Sequence, residues 1–250
     1  VGKKKKSKSQ PDPRLIRSKG LLKKVMEDDS FVVVPESDLK EPIPHVSSGW
    51  PRLDDLIGGN PNRFGVIPCQ GIPRARIVQI YSEAGQGRDE FIEAFQKEHP
   101  NLVLVDFLGV RGGVDTPESK VTTPQFLADV TKDAPLAIHP DSLACGVKVI
   151  WAASKAGKII LAPDFAEVQD EYGDAARVWS QLLPQLQAVL SRTGGILVGV
   201  YKIRQGPQAW QFYSAVRILL TRGGDGIYAK IEKCKVAGTQ GLRGLVSPVV

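Results

Sequence analysis

The chain has 250 residues, of which 42% are hydrophobic and 24% charged, with a formal net charge of +6 at pH 7. That length and apolar content suffice for one well-buried α/β domain with extensions. No apolar run approaches the ~18 residues of a membrane span, so a soluble, cytoplasmic chain with no membrane partner and no signal peptide is expected. Cys69, Cys145 and Cys234 form no CxxC pair, and His45, His99 and His139 are scattered. That pattern argues against a disulfide framework and lacks metal-ligand spacing, so neither a metal nor a cofactor is expected.

The charge is unevenly divided. Residues 1–24 carry Lys3, Lys4, Lys5, Lys6, Lys8, Arg14, Arg17, Lys19, Lys23 and Lys24 against Asp12 alone, which puts +9 in this arm and −3 on the remainder. Such an arm binds DNA phosphates by releasing counterions. With no aromatic residue in it, the contact is expected to be weak and insensitive to sequence; a solvated extension is the alternative. The expected division is a flexible basic arm over residues 1–30 and a core domain over 31–250.

After the arm, FVVVP (31–35) reads as a short strand, followed by a connector holding Pro42, Pro44 and Pro51. Apolar runs then alternate with helical segments. Strands are predicted at Ile77, Val78 and Ile80 and over Asn101–Phe107, Lys158–Ala162 and Ile196–Ile203. Thr123 with Pro124, Asp141 or Ser142, and Asp174 read as helix starts. From Asp174 to Thr193, Val178, Leu182, Leu186, Val189 and Leu190 trace a core-facing helical stripe that Pro184 should kink. A terminal hairpin is expected from 215–220 and 227–236, turning at Gly223–Gly226. Alternating strands and helices imply an α/β fold, a mostly parallel twisted sheet with helices on both faces and an antiparallel C-terminal hairpin.

The segment RIVQIYSEAGQGRDEFIEAF (76–95) carries the most chemistry. An apolar strand runs into a glycine-containing turn and then a helix with Phe91, Ala94 and Phe95 on one face, the setting of a phosphate-binding loop. Such a loop, GxxxxGK[ST], uses its first glycine for a tight turn, its lysine for the outer phosphates and its hydroxyl for Mg²⁺. Those four positions read Ser82, Gly87, Arg88 and Asp89, with Gly85 inside the turn. Asp89 and Glu90 place carboxylates at the helix start, where a phosphate would otherwise sit. A carboxylate ~4 Å from a phosphate charge costs roughly 4 kcal/mol at an effective dielectric of ~20.

The order of segments resembles the core of the RecA recombinase family, from about His45 to Leu242. HVSSGWPRLDDLIGG and GIPRARIVQIY resemble the segments that lead to the nucleotide site, and GDAARVWSQLLPQL resembles the helix after the first DNA-binding loop. ILVGVYKIR is similar to the sensor strand, and AWQFYSAVRILL to the segment after the second DNA-binding loop. Against that pattern, Leu108 stands at the position of the catalytic Glu, Pro163 at that of the Mg²⁺-associated Asp with Asp164 as its substitute, and Lys202 at that of the sensor Gln. The DNA-binding loops are reduced: four residues (205–208) separate KIR from AWQFY, and 166–173 is short and acidic. Lys233 and Lys235 match a lysine pair that reaches across a subunit interface in the family, and Phe212 matches an interface aromatic.

These departures imply a pseudo-ATPase with a degenerate nucleotide site, and so no enzyme. The expected role is accessory, in DNA repair, recombination or damage-induced (SOS) mutagenesis, in the manner of ImuA-type proteins. Its expected partners are DNA, bound weakly, and a RecA-type recombinase or a translesion polymerase complex. Two alternatives stand beside it: a SulA-like division inhibitor that binds a tubulin-like polymer, and a divergent active DNA-dependent ATPase using Arg88, Asp164 and Lys202.

Overall fold

A computed structural model describes residues 41–62, 65–165, 175–202, 208–237 and 239–248. The basic arm, the 31–35 strand and the loops at 166–173 and 205–207 lie outside the described residues. All the described residues belong to one compact unit, 39–250.

Its main sheet has nine strands in the order β11-β10-β9-β3-β8-β7-β4-β6-β5. In chain order these are β3 (Arg76–Ser82), β4 (Val103–Val105), β5 (Val114–Thr116), β6 (Leu136–Pro140), β7 (Ile159–Pro163), β8 (Ile196–Lys202), β9 (Val216–Gly223), β10 (Gly226–Cys234) and β11 (Arg243–Pro248). β1 (His45–Val46) and β2 (Ile72–Pro73) form a separate antiparallel pair. Strands β3 to β9 run parallel, while β9, β10 and β11 are antiparallel neighbours. The expected mostly parallel sheet with an antiparallel C-terminal hairpin is therefore present, extended by β11.

Period-two alternation sorts the side chains of the central strands. Ile77, Tyr81, Leu197 and Tyr201 face one core, and Val78, Ile80, Ile196, Val198 and Val200 face the other. The first core is covered by α3 (Glu118–Val121), α4 (Pro124–Thr131), α5 (Leu143–Lys155), α6 (Ala175–Thr193) and α7 (Gln208–Tyr213). The second is covered by α1 (Pro51–Gly58) and α2 (Arg88–Glu98). Gly199 makes room in the first core for rings: a Cβ there would lie 2.5 Å from Trp210 and 2.7 Å from Phe165. Those two rings stack with centroids 3.9 Å apart, and Trp179 packs edge-on against both.

Helix starts follow local chemistry. Thr123 accepts a bond from the Phe126 amide and Ser142 from the Cys145 amide. Asp141 is not the cap; its carboxylate accepts from the Glu118 amide instead. Helix α6 continues across Pro184. The strand expected over Asn101–Phe107 is shorter: Asn101 and Leu102 precede it, and Phe107 begins a turn after the Asp106 amide makes a last bond to the Ile138 carbonyl at 2.7 Å.

Candidate functional site

The parallel strands end on one edge of the sheet, where their C-terminal connections meet. There β3 delivers the chain into the loop 83–87, in which Gly85 (φ 71°) and Gly87 (φ 103°) adopt the left-handed conformation. The tip of the β9–β10 hairpin packs on this loop. A Cβ on Gly87 would lie 2.6 Å from Ile227. The Arg222 amide donates to Gln86 Oε1 at 2.7 Å, its Nε donates to the Gly85 carbonyl at 3.0 Å, and its guanidinium pairs with Glu90.

Arg88 opens α2 and turns inward. Its Nη1 donates to Asp164 Oδ1 at 2.5 Å, with 11% of the arginine side chain and 1% of the aspartate exposed. Asp164 directly follows β7 with φ 57°, a conformation that a short polar side chain tolerates. Arg111 completes the cluster: its Nη2 pairs with Asp89 and lies 3.7 Å from Asp164 Oδ2. Asp89 also lies 3.5 Å from Arg88 Nη2. Burial pushes the Asp89 carboxyl up, but the hydrogen bond from Arg111 and the charges of both arginines hold it below the usual carboxylate range.

Arg111 is aimed by its own loop. Asp106, fully buried just after β4, accepts from the Arg111 amide at 2.6 Å, and its carbonyl accepts from His139 Nδ1 at 2.8 Å. Gly109 and Gly112 supply left-handed turns on either side. Asp106 Oδ1 and Arg111 Nε are buried and have no hydrogen-bond partner among the described residues.

Two guanidiniums and two carboxylates thus meet where the loop 83–87 enters α2. Guanidinium forks match tetrahedral oxyanions, so the arginines suit a phosphate, while the resident carboxylates must be displaced before one enters. The donor set does not suit a divalent cation. Among the described residues no three His, Cys, Asp or Glu side chains are placed to hold a metal ion, and both candidate acids here are engaged by arginine.

Of the residues expected at this site, the structure brings Arg88, Asp89 and Asp164 into contact and gives Gly85 and Gly87 their turns. Ser82 ends β3 with its hydroxyl on the Glu83 carbonyl at 2.9 Å, in register with Lys202 at the end of β8. Leu108 lies in the turn after β4 with 40% of its surface exposed; the group this turn sends to the loop is Arg111. Sequence reasoning missed Arg111, Asp106 and Arg222. The signal for the first two was a buried-type strand followed by a lone arginine among glycines, DFLGVRGG.

Phe212, Lys233 and Lys235 also converge. Lys233 Nζ donates to the Gln211 and Phe212 carbonyls at 2.7 and 2.8 Å, closing the end of α7, and Lys235 Nζ lies 5.8 Å from the Phe212 ring. The lysines do not sit on one regular strand as expected, because β10 skips register at Glu232 and ends at Cys234. Phe212 is 51% exposed.

No protein-family model matches the chain. Among curated proteins it is similar to Protein RecA of Lactiplantibacillus pentosus, at 26% identity over 232 residues covering 77% of this chain and 56% of that one. It is similar to Protein RecA of Latilactobacillus sakei at 27% identity, covering 77% and 60%. Protein RecA of Sulfurovum sp. matches at 27% over 237 residues, covering 79% and 63%. The chain spans 48% to 63% of the length of these and similar relatives. The matches correct the expectation that the chain is no enzyme: the relatives are named RecA, an ATPase family, and they match most of the chain. The chain is thus similar to RecA proteins over about two thirds to four fifths of its length, at 26% to 27% identity.

Proposed function

We propose that this chain is a nucleotide-responsive RecA-like protein that serves DNA recombination or repair in an accessory role. The observation that carries the reading is the Arg88–Asp164 pair at 2.5 Å, where the loop 83–87 enters α2. Arg88 replaces the point charge of a lysine with a planar fork, and Arg111 brings a second fork to the same place. Nucleotide phosphates compete with Asp89 and Asp164 for these two cations, so occupancy of the loop is coupled to breaking an ion-pair network.

The accessory role is supported by the five residues (203–207) between β8 and α7, too few for a long mobile DNA-binding loop. Contact with a RecA-type recombinase or polymerase complex is assigned to the face bearing Phe212, Lys233 and Lys235, and weak DNA contact to Lys3, Lys4, Lys5, Lys6, Lys8, Arg14 and Arg17. No described helix is long and apolar enough to cross a membrane.

The test is equilibrium binding and turnover of labelled ATP by the wild type and Arg88→Ala, with and without single-stranded DNA. Binding by the wild type that falls at least tenfold in Arg88→Ala supports the reading. Equal binding by both, or none by either, overturns it.

A further inference from the structure

On the opposite edge of the sheet from the phosphate loop, the C-terminal ends of α5 and α6 meet the start of β3. Thr193 Oγ1 donates to the Ser154 carbonyl at 2.8 Å and Gln187 Nε2 to the Ala75 carbonyl at 3.1 Å, which fixes these elements side by side. Between the two helices lies a cavity of about 420 Å³ lined by Trp151, Lys155, Gln185, Arg192 and Thr193 among others. Trp151 and Lys155 also line an adjoining apolar cavity of about 610 Å³.

The chemistry of this groove is one-sided. Lys155 and Arg192 are exposed, and neither has a carboxylate partner among the described residues. Lys155 Nζ lies 5.4 Å from the centre of the Trp151 ring. Two more arginines stand at the same edge. Arg74 Nη1 donates to the Gly194 carbonyl at 3.5 Å and Arg76 Nη1 to the Ala75 carbonyl at 2.9 Å, again with no carboxylate partner among the described residues. A half-buried indole flanked by unpaired cations is the combination that holds single-stranded nucleic acid: bases stack on the ring, and phosphates sit on the charges.

We propose that the α5–α6 groove is a second nucleic-acid site, which binds a single strand with a base on Trp151 and its phosphates on Lys155 and Arg192, continuing toward Arg74 and Arg76. The choice of nucleic acid over an acidic protein rests on the recombination or repair reading. This site differs from the basic arm in having an aromatic platform, so it discriminates single strands, whose bases are free to stack, from duplex.

Tryptophan fluorescence reads the groove directly. Trp50, Trp179 and Trp210 are 7%, 0% and 0% exposed, whereas Trp151 is half-buried and open to the groove. The full chain is titrated with a fluorescein-labelled dT20 oligonucleotide, following both anisotropy and intrinsic emission. Binding should quench the emission. Trp151→Phe should bind as the wild type does with the quench lost, and Trp151→Ala should bind about tenfold more weakly. Reversing both charges, Lys155→Glu with Arg192→Glu, should lower the slope of log K against log salt by about 1.4. Oligonucleotide binding without a quench, or binding unchanged by the charge reversals, overturns the groove while leaving the DNA reading intact. No oligonucleotide binding overturns both. Equal quenching by poly-L-glutamate assigns the groove to an acidic protein and overturns the nucleic-acid proposal.

Discussion

Arg88 and Asp164 are 76 residues apart in the chain, yet Arg88 Nη1 donates to Asp164 Oδ1 at 2.5 Å in a site where the aspartate side chain is 1% exposed. Removing one partner of a buried pair strands the other charge away from water, which costs about 3–5 kcal/mol. Asp164→Ala is therefore expected to lose that much stability in urea denaturation. Arg88→Met combined with Asp164→Asn should regain part of it, because no unpaired charge remains and asparagine tolerates φ 57°.

Gly87 links the loop to the far hairpin. An alanine there carries a side chain at φ 103° and a Cβ 2.6 Å from Ile227. Gly87→Ala should lose at least about 1–2 kcal/mol from backbone strain alone. Adding Ile227→Ala removes the clash but not the strain, so unfolding curves of the double variant should show no return to wild-type stability.

Lys233 gives a pH signature. Burial, with help from the charges of Lys235 and Arg217, pushes its ammonium down from 10.5 to about 8. Between those two values the unfolded chain binds the proton that the folded chain has released, so this group makes stability rise as pH increases from about 8 to about 10.5. Below pH ~8 both states are protonated and its destabilising effect is at full strength. The melting temperature of the wild type minus that of Lys233→Met should increase over this range. A flat difference would remove the lysine from that role.

Deleting residues 1–24 takes away +9 of charge and leaves −3. Duplex affinity at low salt should fall steeply, and the salt dependence should flatten. Filter binding on a random-sequence duplex measures both, and a truncated chain that keeps the wild-type salt slope contradicts the assignment of phosphate contacts to the arm.

The sheet was legible in the sequence wherever apolar alternation ran unbroken. Ile77, Val78 and Ile80 announce β3, and β8 and the β9–β10 hairpin are as plain. Strand β5 (VDT) was not, because Val114 and Asp115 are exposed at the sheet edge and carry no burial pattern. Strand β11 escaped for a related reason, being an edge strand with only Val246 buried. At the site, motif spacing pointed to Arg88, Asp89 and Asp164 because each occupies a position whose usual residue is known. Arg111 arrives from a loop whose reach depends on glycine turns, and Arg222 from the end of a hairpin strand that folds back over 130 residues of chain. No local pattern encodes such contacts.

In the proposed function Asp89 and Asp164 compete with phosphates for Arg88 and Arg111. Asp89 tests it most directly, since its side chain is 50% exposed and its replacement leaves the buried Arg88–Asp164 pair in place. Titration calorimetry of ATP into the wild type and Asp89→Asn compares the same loop with and without that carboxylate. About tenfold tighter binding by Asp89→Asn, with the gain shrinking at high salt, is the predicted result. Equal or weaker binding by the variant would contradict the account.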